Sequence, residues 1–274
     1  MKYLYYLYQL FIAIPLGLVV TLVFTLMMIV GCSLGFGHFW GYYPGRWWAK
    51  CVLWLLLIPV KVQGRKHLEK RQSYVFVANH QGAFDIFLIY GYLGRNFKWM
   101  MKYSLRKIPL VGWACEKSHQ IFVDKRGPKK IKATYDAARN TLKNGVSLTV
   151  FPEGSRTYTG HMGEFKKGAF ALADELQLPV VPLTINGAFH ILPRMRDGKF
   201  VRWHRLHMTI HEPIYPVGQG LRTLRRRCIR PTIPSCRHWR LRVDFHYIVQ
   251  SNNDKKSVVK RSILCYGRSA GTDP

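Results

Sequence analysis

The stretch Tyr74-Val75-Phe76-Val77-Ala78-Asn79-His80-Gln81-Gly82-Ala83-Phe84-Asp85 decides how the chain is read. Its first five residues form an unbroken apolar run, the pattern of a strand buried on both faces. An apolar helical pattern, Ile86 to Leu93, leads out. A histidine and a carboxylate therefore stand at the mouth of a strand, and Gly82 permits a tight turn between them. Strand ends are where α/β folds place their chemistry. On an ideal helix, residues five apart point about 140° away from each other, so a His80–Asp85 bond requires a turn or a helix N-terminus. With that bond made, the carboxylate orients one ring nitrogen and the other can take a proton from a hydroxyl. No serine or cysteine partner is implied locally, so the nucleophile can be the substrate's own hydroxyl. On spacing alone, the residues also read as a structural histidine with Asp85 capping the helix.

Outward from this stretch, the chain alternates strands and helices. Strand patterns are expected at 74–78, 98–101, 119–123, 146–151, 180–185 and 206–210, and helices at 86–93, 129–143 and near 168–177. Ile131, Tyr135, Ala138 and Leu142 recur at helical spacing, and Gly145 stops that helix. The segment Lys102 to Gly112 reads as a turn or loop. Alternation of this kind predicts an α/β fold, a mixed sheet at least partly parallel and flanked by helices.

A second constellation is Phe151-Pro152-Glu153-Gly154-Ser155-Arg156-Thr157. A strand ends at Pro152, and Gly154-Ser155 lets backbone N–H groups turn toward an anion. Arg156 can grip a phosphate in bidentate fashion, and the Glu153 carboxylate can anchor the loop or Arg156 itself. Lys102, Lys125, Arg126, Lys166 and Lys167 lie at or near other strand ends. Taken alone, this loop is also an ordinary strand-to-loop turn, and each basic residue singly is a surface charge.

The N-terminus is of another character. Phe11 to Val30 is 20 residues without a charge, enough at about 1.5 Å per residue to cover a hydrocarbon layer of roughly 30 Å. Trp47 to Val60 is apolar except for Lys50 and opens with Trp47-Trp48, which suits an interfacial position. Residues 1–60 are therefore expected to form a membrane-embedded two-helix motif. Lys61, Arg65, Lys66, Lys70 and Arg71 follow at once, the mark of a cytoplasmic side. The whole chain has 42 Lys+Arg against 14 Asp+Glu, a net charge of +28 that attracts polyanions, anionic lipid surfaces or phosphorylated substrates. The six cysteines form no C-x-x-C pair and no zinc spacing, so neither a metal nor a disulfide framework is expected.

Taken together, the blocks resemble one family. His80-Gln81-Gly82-Ala83-Phe84-Asp85 resembles the H-x4-D motif of the glycerolipid acyltransferases. Gln120-Ile121-Phe122-Val123-Asp124-Lys125-Arg126, Phe151 to Thr157 and Val180-Val181-Pro182-Leu183 resemble the second, third and fourth blocks, in order and at fitting intervals. The resemblance covers about residues 60–218 and is nearest to bacterial 1-acylglycerol-3-phosphate acyltransferases.

This resemblance implies a fold and a set of roles. Residues 61–218 form the acyltransferase domain. His80 is the general base on the free hydroxyl of lysophosphatidic acid, and Asp85 holds its imidazole. Acyl-CoA or acyl carrier protein supplies the acyl thioester, and phosphatidic acid is the product. Glu153, Gly154, Ser155 and Arg156, with Lys125 and Arg126, bind the acceptor phosphate. Lys102 assists in acceptor binding or oxyanion stabilisation, and Val180 to Leu183 contributes to acyl-chain or core packing. No metal, resident cofactor or nucleic acid is implied, and oligomeric state is not implied either way. The implied location is the cell inner membrane, with the catalytic domain on its cytoplasmic face. Two alternatives stand beside this reading. One is a sibling enzyme acting on another lysolipid or on glycerol 3-phosphate. The other is a non-catalytic basic membrane-surface protein.

One departure concerns the second block, where Lys125 stands directly after Asp124 and Arg126 only next; a lysine does not give the bidentate fork. Another is the terminus. Residues 219–274 carry 13 Lys+Arg against 3 Asp+Glu and half of the cysteines. They read as a weakly structured or aberrant basic tail without helical periodicity.

Overall fold

A computed structural model describes residues 2–109, 111–124, 126–196, 200–216, 220–232, 239–242 and 264–267. Its centre is a seven-stranded sheet of β1 (Val60–Gln63), β2 (Val75–Ala78), β3 (Phe97–Lys102), β4 (Ile121–Val123), β5 (Ser147–Val150), β6 (Val180–Asn186) and β7 (Leu206–Ile210), in the order β1-β7-β6-β2-β5-β3-β4. Strands β6, β2, β5, β3 and β4 run parallel. Strand β7 is antiparallel to β6, and β1 lies parallel to β7 at the edge. The expected mixed sheet is therefore present. A separate two-stranded ladder, Trp239–Arg242 with Leu264–Gly267, lies within the terminus.

Strand β2 organises the interior by simple alternation. Tyr74, Phe76 and Ala78 face one core, which they share with Leu88 and Ile89 of the Phe84–Tyr92 helix. Val75 and Val77 face the other, shared with Ala138 of the Pro128–Thr141 helix and Phe170 and Leu172 of the Gly168–Glu175 helix. Helices thus cover both faces, as a parallel sheet requires. Val180, Val181 and Leu183 are fully buried in β6, so these residues pack the core rather than an acyl chain.

Three expectations need correction. The N-terminal pair is not a unit apart from the domain. One helix, Lys2–Ser33, is long and apolar enough to cross a membrane by length and composition. The second, Tyr43–Leu55, is an amphipathic helix whose Ala49 and Leu53 are fully buried in the first core. The long helix is itself fastened to the domain. Gln9 exchanges two hydrogen bonds of 3.0 Å with the Val201 backbone, and the hydroxyls of Tyr5 and Tyr8 donate to the Leu56 and Leu55 carbonyls. Second, the loop expected over 102–112 gives way at its end to an unexpected helix, Val111–Lys117, and the edge strand β1 stands where the second membrane helix was expected to end. Third, the tail does not begin at 219. Leu221–Thr232 is a helix that buries Leu224 and Cys228 in the second core. Leu221, Leu224, Cys228 and Ile229 do follow helical spacing, hidden among five arginines. The remaining residues of that terminus, apart from the short ladder, lie outside those described.

Candidate active site

The chain passes from β2 out to β3 and β4, then returns to β5 beside β2 before crossing to β6 on β2's other side. The carboxyl ends of β2 and β5 therefore lie side by side where the winding reverses, the position at which open α/β sheets bind ligands. His80 follows β2 there, and Glu153 follows β5. Asn79 closes the end of β2. Its side chain donates to the Ile185 carbonyl at 2.9 Å and accepts the Ile185 N–H at 2.7 Å.

The turn after Asn79 brings His80 onto Asp85. Asp85 stands in the first turn of the Phe84–Tyr92 helix and is fully buried. Its Oδ2 lies 2.8 Å from His80 Nδ1 and accepts the N–H groups of Gln81 at 2.6 Å and Gly82 at 2.9 Å. Two backbone donors hold the carboxylate aimed, a local side-chain-to-backbone motif at a helix start. Gly82 is required here, because a Cβ would sit 2.7 Å from the Ala188 carbonyl oxygen. Asp85 is not the helix cap of the alternative reading: Ala83 holds that position, and the Asp85 bonds run back to the turn that carries His80. With Nδ1–H directed at Asp85, Nε2 is the ring's acceptor, and the His80 side chain keeps 12 % of its surface exposed.

The β5 loop grips the same histidine. The Phe151 ring stacks on the imidazole, with centroids 3.8 Å apart and planes 10° from parallel, and Trp99 stacks behind Phe151. Thr157 donates its N–H to the His80 carbonyl at 3.1 Å. Glu153 is buried. Its Oε1 accepts the His80 N–H at 2.7 Å and its Oε2 accepts the Gly163 N–H at 2.6 Å. Burial raises its pKa from 4.5 to about 7 against the pull of those two bonds, with Asp85 nearby adding to the rise. Of the two roles read for Glu153, anchoring the loop or Arg156 itself, these bonds to His80 and Gly163 correspond to the first. Gly154 has φ +79° beside it, and a Cβ there would meet Lys166 Nζ at 2.9 Å. Ser155 is exposed, Arg156 is half-buried, and the Arg156 carbonyl accepts from Arg194. Lys166 and Arg194 were not singled out for this loop by sequence alone; a basic residue twelve or more positions from its contact carries no local signal.

The other basic candidates occupy the next strand ends along the same edge. Lys102 closes β3 and is exposed. Asp124 and Arg126 follow β4. Arg126 forks onto Asp124 through Nε and Nη2, at 2.7–3.1 Å, and stands over the Tyr103 ring at 5.1 Å. That guanidinium holds the Asp124 carboxyl down at about 2. Lys125 lies outside the described residues. At about 4.8 Å per strand, the end of β4 is roughly 14 Å from the end of β2. The edge therefore carries the His80–Asp85 pair at one end and cations at the other. Among the described residues, no group of three or more His, Cys, Asp or Glu is placed to hold a metal ion.

An apolar cavity of about 750 Å³ lies between the Lys2–Ser33 and Tyr43–Leu55 helices. Leu10, Ile14, Leu18 and Val52 line it together with Phe87, which is two residues beyond Asp85 on the same helix.

The protein-family model for acyltransferases matches residues 59–186. A chloroplastic 1-acyl-sn-glycerol-3-phosphate acyltransferase of Brassica napus is 33 % identical over 155 residues, 56 % of this chain and 44 % of the relative. The 1-acyl-sn-glycerol-3-phosphate acyltransferase of Saccharomyces cerevisiae is 32 % identical over 198 residues, 68 % of this chain and 61 % of the relative. The chain spans about half the length of the first of these curated relatives. A solved structure, the 1-acyl-sn-glycerophosphate acyltransferase PlsC of Thermotoga maritima, matches with TM-score 0.59 and 27 % identity, covering 82 % of this chain and 96 % of that one.

Proposed function

The chain carries an acyltransferase-family domain at residues 59–186, and from that premise we propose that it transfers an acyl chain to the free hydroxyl of 1-acylglycerol-3-phosphate, giving phosphatidic acid for phospholipid synthesis. The observation that carries this reading is the His80–Asp85 pair at the reversal point of the sheet, with Nδ1 committed to a buried carboxylate. The names of the relatives supply the acceptor class, and acyl-CoA or acyl carrier protein is the donor in this reading.

The chemistry then follows from the geometry. The acceptor hydroxyl lies against His80 Nε2, which takes its proton as the oxygen attacks the thioester carbonyl. A C–O bond forms and the carbonyl oxygen becomes an oxyanion. On collapse the C–S bond breaks, and the imidazolium returns the proton to the leaving thiolate. Asp85, whose Oδ2 is shared by three donors, stabilises the imidazolium without taking the proton. Gly154, Ser155 and Arg156 bind the acceptor phosphate, with Lys102 and Arg126 as further cations along the edge and Lys125 in the same role. The fork of Arg126 is turned to Asp124, so its other face meets the phosphate. The apolar cavity beside Phe87 takes an acyl chain. The Lys2–Ser33 helix holds the domain on the cytoplasmic face of a membrane, where the acceptor resides. No resident cofactor enters these steps.

His80→Ala tests the reading. Purified in detergent and given acyl-CoA or acyl carrier protein thioester with lysophosphatidic acid, this variant is expected to lose at least about 10³-fold in transfer, with membrane association intact. A variant that keeps its activity would overturn the assigned base.

A further inference from the structure

The loop Phe151–Thr157 touches His80 on three sides. Phe151 stacks on its ring, Thr157 donates to its carbonyl, and Glu153 accepts its N–H. The two oxygens of Glu153 are divided between two chain segments that meet nowhere else through its side chain: the turn at His80, 73 residues away, and Gly163, ten residues away. Each takes a single backbone N–H at 2.6–2.7 Å, the length of a charge-assisted bond. Only 7 % of the residue's surface is exposed. So buried, and with each oxygen already committed to a backbone N–H, the carboxyl group presents almost no surface to a ligand phosphate. Gly163 fits the same purpose: a Cβ there would press on Glu153 Oε2 at 3.0 Å.

We propose that Glu153 is a positioning residue for His80. It fixes the main chain that carries the base, clamps the 160–163 segment to it, and makes no contact with the acceptor phosphate. The inference rests on the function proposed above and goes beyond it by taking the only carboxylate of this loop out of the substrate's contacts. Asp85 sets the ring's tautomer and Phe151 its plane; Glu153 sets where the residue's backbone stands. An error of about 1 Å in that position costs roughly 10²-fold in rate, and it costs nothing in affinity for a ligand held elsewhere.

Two variants separate this from a substrate-binding role. Glu153→Gln keeps the shape but turns an amide N–H onto one of the two donors. Gly163→Ala leaves the charge intact and pushes the carboxylate. In full-length protein, both are expected to lower kcat about 10- to 100-fold with the KM for lysophosphatidic acid within about threefold of the parent. Both are also expected to shift the ¹⁵N imidazole resonance of His80, identified by its absence in His80→Ala. A KM raised tenfold or more with kcat preserved and the His80 resonance unmoved would make Glu153 a substrate ligand and overturn the proposal. If Glu153→Gln does not fold, Gly163→Ala decides by the same criteria. Should the parent protein transfer nothing to any lysolipid, the function fails separately. The resonance then judges the clamp: a shift supports it and an unmoved signal overturns it.

Discussion

Two regions along one edge of the sheet are built on opposite plans. After β2 and β5, the polar groups are buried and tied to main chain: Asp85 takes two backbone N–H groups and Glu153 takes two more. After β4, Asp124 takes only one backbone N–H, that of Arg126 at 3.1 Å, and the rest of its bonds come from the Arg126 side chain. Arg126 is 71 % exposed on its fork with Asp124 and leans on Tyr103. Main chain fixes position, since it moves only if the sheet moves. Exposed side-chain pairs exchange partners at little cost. A proton transfer needs the first kind of construction, and capture of a mobile charged headgroup is served by the second.

The sharpest way to break this contrast is Asp85→Asn. The amide offers one acceptor where three donors converge and presents an N–H to the ring. Transfer is expected to fall by about 10²–10⁴-fold at unchanged acceptor KM, measured by initial rates over a range of acceptor concentrations. A loss under threefold would show that backbone-anchored orientation does not matter here.

A smaller effect is expected from pH. Glu153 has its folded value raised by burial from 4.5 to about 7, so the folded protein holds this proton more tightly than the unfolded chain. Its contribution to stability is fully present below about pH 4.5 and is lost as the pH rises through about 7. The integrated loss is on the order of 3 kcal/mol. Thermal midpoints taken from pH 5 to 8 are expected to decline more steeply in the parent than in Glu153→Gln. Parallel curves would remove Glu153 from the account.

The smallest effect belongs to the β4 loop. Asp124→Asn frees Arg126 from its partner. Its thermal midpoint is expected to stay within about 2 °C of the parent, and acceptor KM to change by less than about fivefold, with greater sensitivity to salt. A collapse of folding in this variant would place the pair with the rigid construction and erase the distinction.

What the sequence made legible follows the same line. Strand β2 is a continuous apolar run and β6 opens with one, and a strand buried on both faces needs no context to be read. The His80–Asp85 contact was legible because glycine and a helix start lie between the two residues. Strand β1 was not: four residues alternating half-buried and exposed, directly after an apolar helix, read as the end of that helix. The Tyr43–Leu55 helix misled for a related reason. Its tryptophans suit a lipid interface, yet Ala49 and Leu53 are buried in the domain, and composition does not separate a lipid-facing residue from a core-facing one. In Leu221–Thr232 the arginines outweigh four well-spaced apolar residues. The position of Glu153 depends on two backbone N–H groups, which carry no residue identity and therefore leave no trace in sequence.

The placement of β2 between β5 and β6 also has a consequence in time. Its amides are paired within the most deeply buried part of the sheet, so they open to solvent only when the whole domain does, while the three-residue edge strand β4 opens locally and often. His80 therefore hangs from the slowest-exchanging part of the fold and Arg126 from one of the fastest. Along a single edge of about four strands, the molecule grades from a clock that scarcely ticks at the base to one that runs freely at the cations.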